Sequence, residues 1–462
     1  MPDTEQVVIG GTIAALVTAD AIARSGRPVH LYLPERVGGG FAAIHKDGRT
    51  LELGVRALEL RFENPVPPPP LSEYRPHIGN HRPWARLIES WVFDLLGERV
   101  VEIRRPQMAW RGGVVDDLLF TSDLTVLPSL LTGDERQTML GQARDARAST
   151  GYDAGVLAPE LAGRCARMTV TEASIANQGP LYHELFVKPI CDKLLARGGD
   201  DCAAPLHRKA WATIFHPRTL IEALEGGPIG FRPVRPFHTV KPDGCGAIVT
   251  ELLARIERSP QVTIERSGDL TGIAAAGDGR TELTFAEQRI TAAGAVVAVA
   301  PEALFGAAGI PYEVDRATTA LAWIETADDE ARALPDLIHV LDPENPVMRV
   351  SRAGGGSPPG RSLLTVELHH GTPPEQCGVA ATTGLISAGL LPDGAEPEVI
   401  LGAARPTFAI PDLRLLERYA DARAAFDALG LDVVLAAGAA DVTSDSLNEQ
   451  IIQGLAIAEA NA

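Results

Sequence analysis

In VVIGGTIAAL, residues 7–16, a short apolar run meets small residues and then a helical pattern, the spacing of a turn built to hold a pyrophosphate. Such a turn uses its first glycine for a tight bend, its second so that backbone can approach the phosphates, and its third to pack helix against strand. Here the three positions are Gly10, Thr12 and Ala15. Gly10 fits, Ala15 is an accepted small substitute, and Gly11 adds flexibility at an open position. Thr12 departs from the pattern, and a β-branched side chain forced into a glycine conformation costs on the order of 1–2 kcal/mol.

Other reactive residue types give weaker signals. His77 and His81 are four apart in PHIGNHRP, but Gly79 and Pro83 argue against a helix that would aim both at one metal ion. His369 and His370 fall on an expected strand, where successive side chains point to opposite faces. No metal site is expected. The five cysteines, Cys165, Cys191, Cys202, Cys245 and Cys377, are odd in number and scattered, so they signal neither a disulfide framework nor zinc. A reducing, cytoplasmic setting is expected. Cys245, between two glycines, reads as a small residue in a tight turn, and there is no GxSxG nucleophile elbow.

Three arginines, Arg56, Arg218 in IFHPRTL and Arg349 in VMRVSR, offer guanidinium forks that suit carboxylate or phosphate groups. Each reads equally as an ordinary ion pair; together they point to an anionic small-molecule substrate. Aromatic residues make up only 5% of the chain, so a stacked carbohydrate platform is not indicated, with Trp211 the exception.

The elements that would carry these residues follow from periodicity. VVI at 7–9, IAALVTADAIARS at 13–25 and VHLYL at 29–33 form a strand, helix and strand, with Gly26 as the stop, the size of one right-handed parallel crossover. NPVPPPP at 64–70 must be extended loop. Residues 84–225 read mostly as helices. A second α/β block follows at 237–308, with GAIVTELLARIERS as helix and QVTIERS, DLTGIAAAG, TELTFAE and AGAVVAVA as strands. LIHVL, VMRVSR and SLLTVEL look like strands of another sheet, broken by RAGGGSPPGR at 352–361. SLNEQIIQGLAIAEA at 446–460 is an amphipathic helix with Ser446 as N-cap and Glu449 at the capping-box position.

The chain has 462 residues, 45% hydrophobic and 22% charged, which is the balance of a folded, soluble protein of two or three lobes. The net charge of -18, from 60 acidic against 42 basic side chains, argues against nucleic acid and anionic membrane partners. Neither a secretory leader nor a membrane span is expected.

After the second strand comes PERVGGGFAAI, residues 34–44, which resembles the RVGG motif of the flavin amine-oxidase superfamily. ELFVKPICDKLL with its Pro-x-x-x-Lys pattern, PFHTVKPDGCGAIVTELL, AGAVVAVAPEAL, the stretch 342–368 and the final helix are similar to the branch containing UDP-galactopyranose mutases and protoporphyrinogen-oxidase-like proteins. The resemblance spans nearly the whole chain. It implies an α/β fold: a Rossmann-like FAD/NAD(P)-binding domain assembled from 1–75, 236–308 and 431–462, a mainly helical cap over 76–235, and a substrate domain of mixed sheet and helices over 309–430.

It also implies which residues face FAD: Gly10, Gly11, Thr12 and Ala15, Tyr32 at the ribose position, Arg36, Gly38 and Gly39 of the RVGG stretch, and Gly438 with Ala439 at the phosphates. Several depart from the family. Tyr32 stands where the family has Glu, Ala439 where it has Asp or Arg, and Gly54-Val55-Arg56 where it has Gly-x-His. A lost charge-assisted hydrogen bond is worth about 1.5–3 kcal/mol, so with the strain at Thr12 the first three departures sum to roughly 4–8 kcal/mol, about a thousand-fold to a million-fold in affinity.

Two expectations follow. One is an FAD-dependent oxidoreductase with weakened or remodelled flavin binding. The other is a flavin-type fold that has lost FAD and works as a redox-independent enzyme or as the protein partner of another biosynthetic protein, much as GDP dissociation inhibitors resemble this fold without using FAD. A third, nicotinamide-binding variant would use Arg36 against a 2′-phosphate.

Overall fold

The computed structural model describes residues 5–60, 67–150, 163–229, 236–277, 279–332, 334–352 and 355–461. Residues 64–66 of the proline-rich stretch and 353–354 of the glycine-rich loop lie outside the described residues.

Short runs of β-branched residues with no polar alternation suit strands covered on both faces, as in a parallel sheet. Five of them form one: β10 (Val262–Arg266), β2 (Val29–Leu33), β1 (Gln6–Ile9), β14 (Ala295–Val297) and β20 (Val433–Leu435), in that order and all parallel. Strands from three distant stretches of the chain thus share a single sheet. Helix α1 (Ile13–Arg24) crosses from β1 to β2 and is buried over most of its surface. Its alanines permit this, because the C-terminal helix Leu447–Ala460 lies directly against it where Gly454 meets Val17. The capping box of Ser446 and Glu449 forms as the sequence reading expects.

A three-stranded antiparallel meander, β11 (Gly272–Ala275), β12 (Thr281–Thr284) and β13 (Arg289–Ala292), covers the other face, packing Ile273, Leu283 and Phe285 on Ile9 and Tyr32. Two small sheets, β3 (Ala43–Lys46) with β4 (Arg49–Glu52), and β5 (Leu58–Glu59), β9 (Phe237–Val240) and β6 (Val100–Glu102), join this unit to the next.

That next unit is a seven-stranded sheet ordered β19 (Glu398–Ala409), β15 (Arg316–Ala327), β18 (Arg361–Leu368), β17 (Val347–Ser351), β16 (Leu337–Val340), β7 (Gln107–Trp110) and β8 (Gly113–Asp116). The region 84–225, read from sequence mostly as helices, therefore also supplies β6, β7 and β8. These short strands carry too few residues to register a period of two. Strand β13 likewise was not among the strands read from sequence. His369 and His370 lie beyond the end of β18, and their rings stack at 4.4 Å where the strand expectation had them on opposite faces. The helices around Tyr182, Phe186, Ile190 and Phe215 bury their own apolar core beside the sheet.

Candidate functional site

The turn after β1 has the shape of a dinucleotide seat, and Gly10 is obligatory there. At φ +122° it occupies backbone space that L-residues avoid, and a Cβ would lie 2.1 Å from the Ala298 carbonyl oxygen. Thr12 is different. Its φ of -75° and ψ of 162° are ordinary extended values, so the strain expected from sequence is absent. The side chain serves as N-cap: Oγ1 accepts from the Ala15 amide at 3.2 Å and donates to the Ala298 carbonyl at 3.2 Å. The Ala14 amide donates to Gln450 Oε1 at 3.4 Å. Two of the amides that a helix N-terminus would turn toward a pyrophosphate are thus spent on protein oxygens.

The other candidate cofactor contacts are similarly engaged. Tyr32, expected from sequence at a ribose position, is buried, its ring stacked on His30 (4.4 Å) and Phe285 (5.3 Å) in an aromatic column. Burial pushes its phenol up from the usual value, assisted by the nearby Glu265 and Glu5 carboxylates. Gly438 and Ala439 lie in a turn whose polar groups face inward. The Ala437 amide donates to Gln453 Oε1 at 2.6 Å, the Ala439 amide to the Val299 carbonyl at 3.2 Å, and the Ala439 carbonyl accepts from Tyr419 Oη at 2.9 Å. The loop after β2 lies on the turn, with the Gly38 amide donating to the Gly11 carbonyl at 2.6 Å. Gly39 and Arg36 are exposed, and Arg36 has no hydrogen bond among the described residues. On these donors the residues present do not fit FAD held through a pyrophosphate at α1.

The three arginines separate. Arg218 lies on the helix Pro217–Glu225 and pairs with Glu222 on the same helix at 2.8 Å. Arg56 Nη2 donates to the Gly40 and Leu53 carbonyls at 2.7 and 3.0 Å, with its guanidinium 5.3 Å from the Phe41 ring centroid. Arg349 on β17 forks onto Glu367 on β18, Nε to Oε2 at 2.7 Å with Nη2 on the same oxygen. Glu367 Oε1 accepts the Val55 amide at 2.6 Å, tying Arg349 to the loop that carries Arg56. Gly54, at φ +105°, makes this possible, because a Cβ would lie 2.7 Å from that carboxylate oxygen.

Pairing register sets a third residue beside them. His339 on β16 lies opposite Arg349, and Arg349 opposite Glu367, so three adjacent strands present His339, Arg349 and Glu367 side by side on one face. His339 is fully buried, stacked on Phe120 at 3.7 Å, with Nδ1 2.7 Å from Asp117 Oδ2. Burial holds its pKa below the usual value against the pull of Asp117, so the neutral ring donates from Nδ1 and keeps a lone pair on Nε2. That Nε2 is buried and unpartnered among the described residues. Beside Phe120, Ser122 (φ +52°) and Trp211 (φ +56°) hold backbone conformations rare for non-glycine residues. Trp211 packs edge-on against Phe120 at 4.8 Å.

Asp117, His339 and Glu367 were not singled out from sequence. The available signal was one ionisable residue inside each of three otherwise apolar strands, LIHVL, VMRVS and LLTVEL, which marks a charged row facing a covered interior. Among the described residues no group of three or more His, Cys, Asp or Glu side chains could hold a metal ion, and no helix is long and apolar enough to cross a membrane. The five thiols are buried, and burial raises the Cys245 thiol well above its usual value.

No protein-family model and no curated protein matches the chain. Solved structures do. A reduced UDP-galactopyranose mutase matches over 99% of this chain and 95% of its own, at 15% identity and a TM-score of 0.69. Wild-type putrescine oxidase bound to putrescine matches over 99% and 98%, at 14% identity and 0.62, and cyclohexylamine oxidase from Brevibacterium oxydans IH-35A over 99% and 98%, at 14% and 0.56. These are proteins of the flavin amine-oxidase superfamily, and the chain has their α/β fold, Rossmann-like unit included. At such identities the likeness is one of fold.

Proposed function

We propose that the protein is a redox-independent enzyme on a flavin-oxidoreductase fold, with the row His339, Arg349 and Glu367 as its candidate chemical centre. One observation carries the cofactor-free part of this reading: Thr12 and Gln450 take the α1 amides that a flavin pyrophosphate would need. The enzymatic part is supported by a buried histidine oriented by a carboxyl group with its second nitrogen left as a proton acceptor, an arrangement suited to general-base chemistry. Each arginine that the sequence offered to an anion has a protein partner, so nothing fixes the charge of the substrate.

A second reading, a flavin-dependent oxidoreductase, draws on the fold likeness along nearly the full chain and on Gly10 and Gly38 in the nucleotide turn. The two part in one measurement. Protein as isolated is expected to be colourless, and titration with FAD to give a micromolar or weaker dissociation constant. A yellow protein carrying stoichiometric FAD would overturn the first reading in favour of the second.

A further inference from the structure

Lys193 is 1% exposed near the end of the helix Lys188–Leu194, and its Nζ donates to two backbone carbonyls, Val340 at 2.7 Å and Val347 at 2.8 Å. Val340 is the last residue of β16 and Val347 the first of β17, so one side chain from the helical unit beside the sheet ties both ends of a hairpin. His339 directly precedes the first of these residues, and Arg349 follows the second by two. Keeping an amino group here is costly: burial pushes Lys193 down from 10.5 to about 7, with Asp342 pulling the other way. An apolar side chain would avoid that cost, so what the position uses is the donors. Charged or neutral, the amine keeps an N–H for each carbonyl.

Strand register shows why these two carbonyls matter. Val347 lies opposite Leu368 on β18, but Arg349 lies opposite Glu367, so β17 carries one extra residue, Met348, between them. A slip of one residue along a strand carries its side chains to the opposite face. With the extra residue on the other side of Arg349, the guanidinium would turn away from Glu367 and His339. The turn between the strands is also held by Asn345 Oδ1, which accepts the Val347 amide at 2.9 Å, and by the Pro346 carbonyl, which accepts the His369 amide at 2.8 Å. Of these three contacts, that of Lys193 reaches both strands.

We propose that Lys193 is a positioning residue for the row: by holding Val340 and Val347 it fixes where β17 bulges, and so sets Arg349 on Glu367 and beside His339. The inference rests on the reading of that row as the chemical centre, and it adds the side chain through which the helical unit keeps the row in register.

NMR of the isotopically labelled full-length protein tests it through two hydrogens: the one between His339 Nδ1 and Asp117 Oδ2, and the Val55 amide hydrogen held by Glu367 Oε1. Lys193→Met keeps the apolar stem and removes the donors. Both hydrogens are expected to exchange with solvent roughly 10- to 100-fold faster than in the wild type, and both resonances to move upfield as their bonds lengthen. Lys193→Gln, whose amide is too short to reach both carbonyls, should move them less and in the same direction, and it takes over if Lys193→Met fails to fold. Ile190→Ala is the control, since it cuts a buried apolar side chain of the same helix and leaves both carbonyl bonds in place. Lost stability alone speeds exchange without moving the resonances of the folded state, so Ile190→Ala should leave them where they are. Wild-type positions in the Lys193 variants, or equal movement in Ile190→Ala, overturn the proposal and leave Lys193 a structural link. Failure of the row itself reads differently, as a wild-type His339 ring that carries its proton on Nε2 or is charged at neutral pH.

Discussion

The turn at Gly10 and the row on the seven-stranded sheet lie in one fold, yet they treat their polar groups in opposite ways. At the turn, backbone donors are closed off: Gln450 and Thr12 accept the Ala14 and Ala15 amides, and Tyr32 is held in an aromatic stack. On the sheet, charge is held inside at a cost, with Glu367, Asp117 and His339 buried, Arg349 partly buried against Glu367, and one histidine nitrogen left open. A region that is finished by its own hydrogen bonds is built for stability. A region that retains buried charge and an orphaned base carries desolvation that packing alone would not favour, which is the ordinary mark of chemistry.

The sharpest way to break that comparison is to unbalance the row. Arg349→Leu leaves Glu367 buried without its cation and is expected to cost about 3–5 kcal/mol, read as a lowered urea midpoint. Arg349→Leu combined with Glu367→Leu should recover most of it, because no lone charge remains. A single-variant loss below about 1 kcal/mol would mean that water reaches Glu367 and that the row is not a closed interior.

Next in size is a pH effect from Glu52. Burial raises its pKa from 4.5 to about 7, opposed by the Cys245 amide and Arg56, so the folded state holds this proton more tightly than the unfolded state does. Its contribution is fully present below pH 4.5 and is lost as pH rises through about 7, a change of about 3 kcal/mol in all. Glu52→Gln lacks the titrating group. Denaturation at about pH 5 and about pH 8 should therefore find the variant gaining on the wild type as pH rises. A constant difference between the two proteins would place Glu52 in contact with solvent.

Sequence and structure agree best where local rules act alone. The crossover of β1, α1 and β2, the capping box at Ser446 and Glu449, and the strands LIHVL, VMRVSR and SLLTVEL follow from periodicity and caps, and the resemblance supplied their assembly. Thr12 was legible as an oddity but not as a cap, since a threonine in a glycine position and a threonine N-cap differ only in φ. The partnership of Tyr32 with Phe285 joins positions far apart in sequence. His339 and Glu367 escaped notice for the same reason: each is a single ionisable residue on a mainly apolar strand, and only strand register sets both beside Arg349, while Asp117, just past β8, reaches His339 from a distant stretch of the chain. Arg349 was singled out as a ligand for an external anion, whereas its anion is internal.

The seat gives a smaller effect that sharpens the same contrast. Thr12→Ala removes the cap and is expected to cost about 1 kcal/mol, while Thr12→Gly costs only a few tenths more than nothing, because glycine is itself a tolerated N-cap. Thr12→Gly also puts a glycine at the second position of the dinucleotide-turn pattern. If the turn is closed by several contacts acting together, FAD affinity should change by less than about 10-fold, since Gln450 still holds the Ala14 amide and Tyr32 stays in its aromatic stack. A gain of about a thousand-fold would show that Thr12 alone had been the obstacle.

The smallest expected effect belongs to Arg218, which sequence ranked beside Arg349. Both were forks in front of an expected cleft; the structure gives one a buried carboxylate on the next strand and leaves the other exposed beside Glu222, one helical turn away. An exposed i,i+4 pair is worth about 0.3–0.5 kcal/mol, screened further by salt. Arg218→Ala should therefore shift the urea midpoint by about that much. The ratio of the Arg349 loss to the Arg218 loss, about tenfold, measures what burial does to one and the same side chain. If Arg218→Ala proved as damaging as Arg349→Leu, charge burial would not separate the sheet from the helical surface, and the row would lose its claim to be singled out.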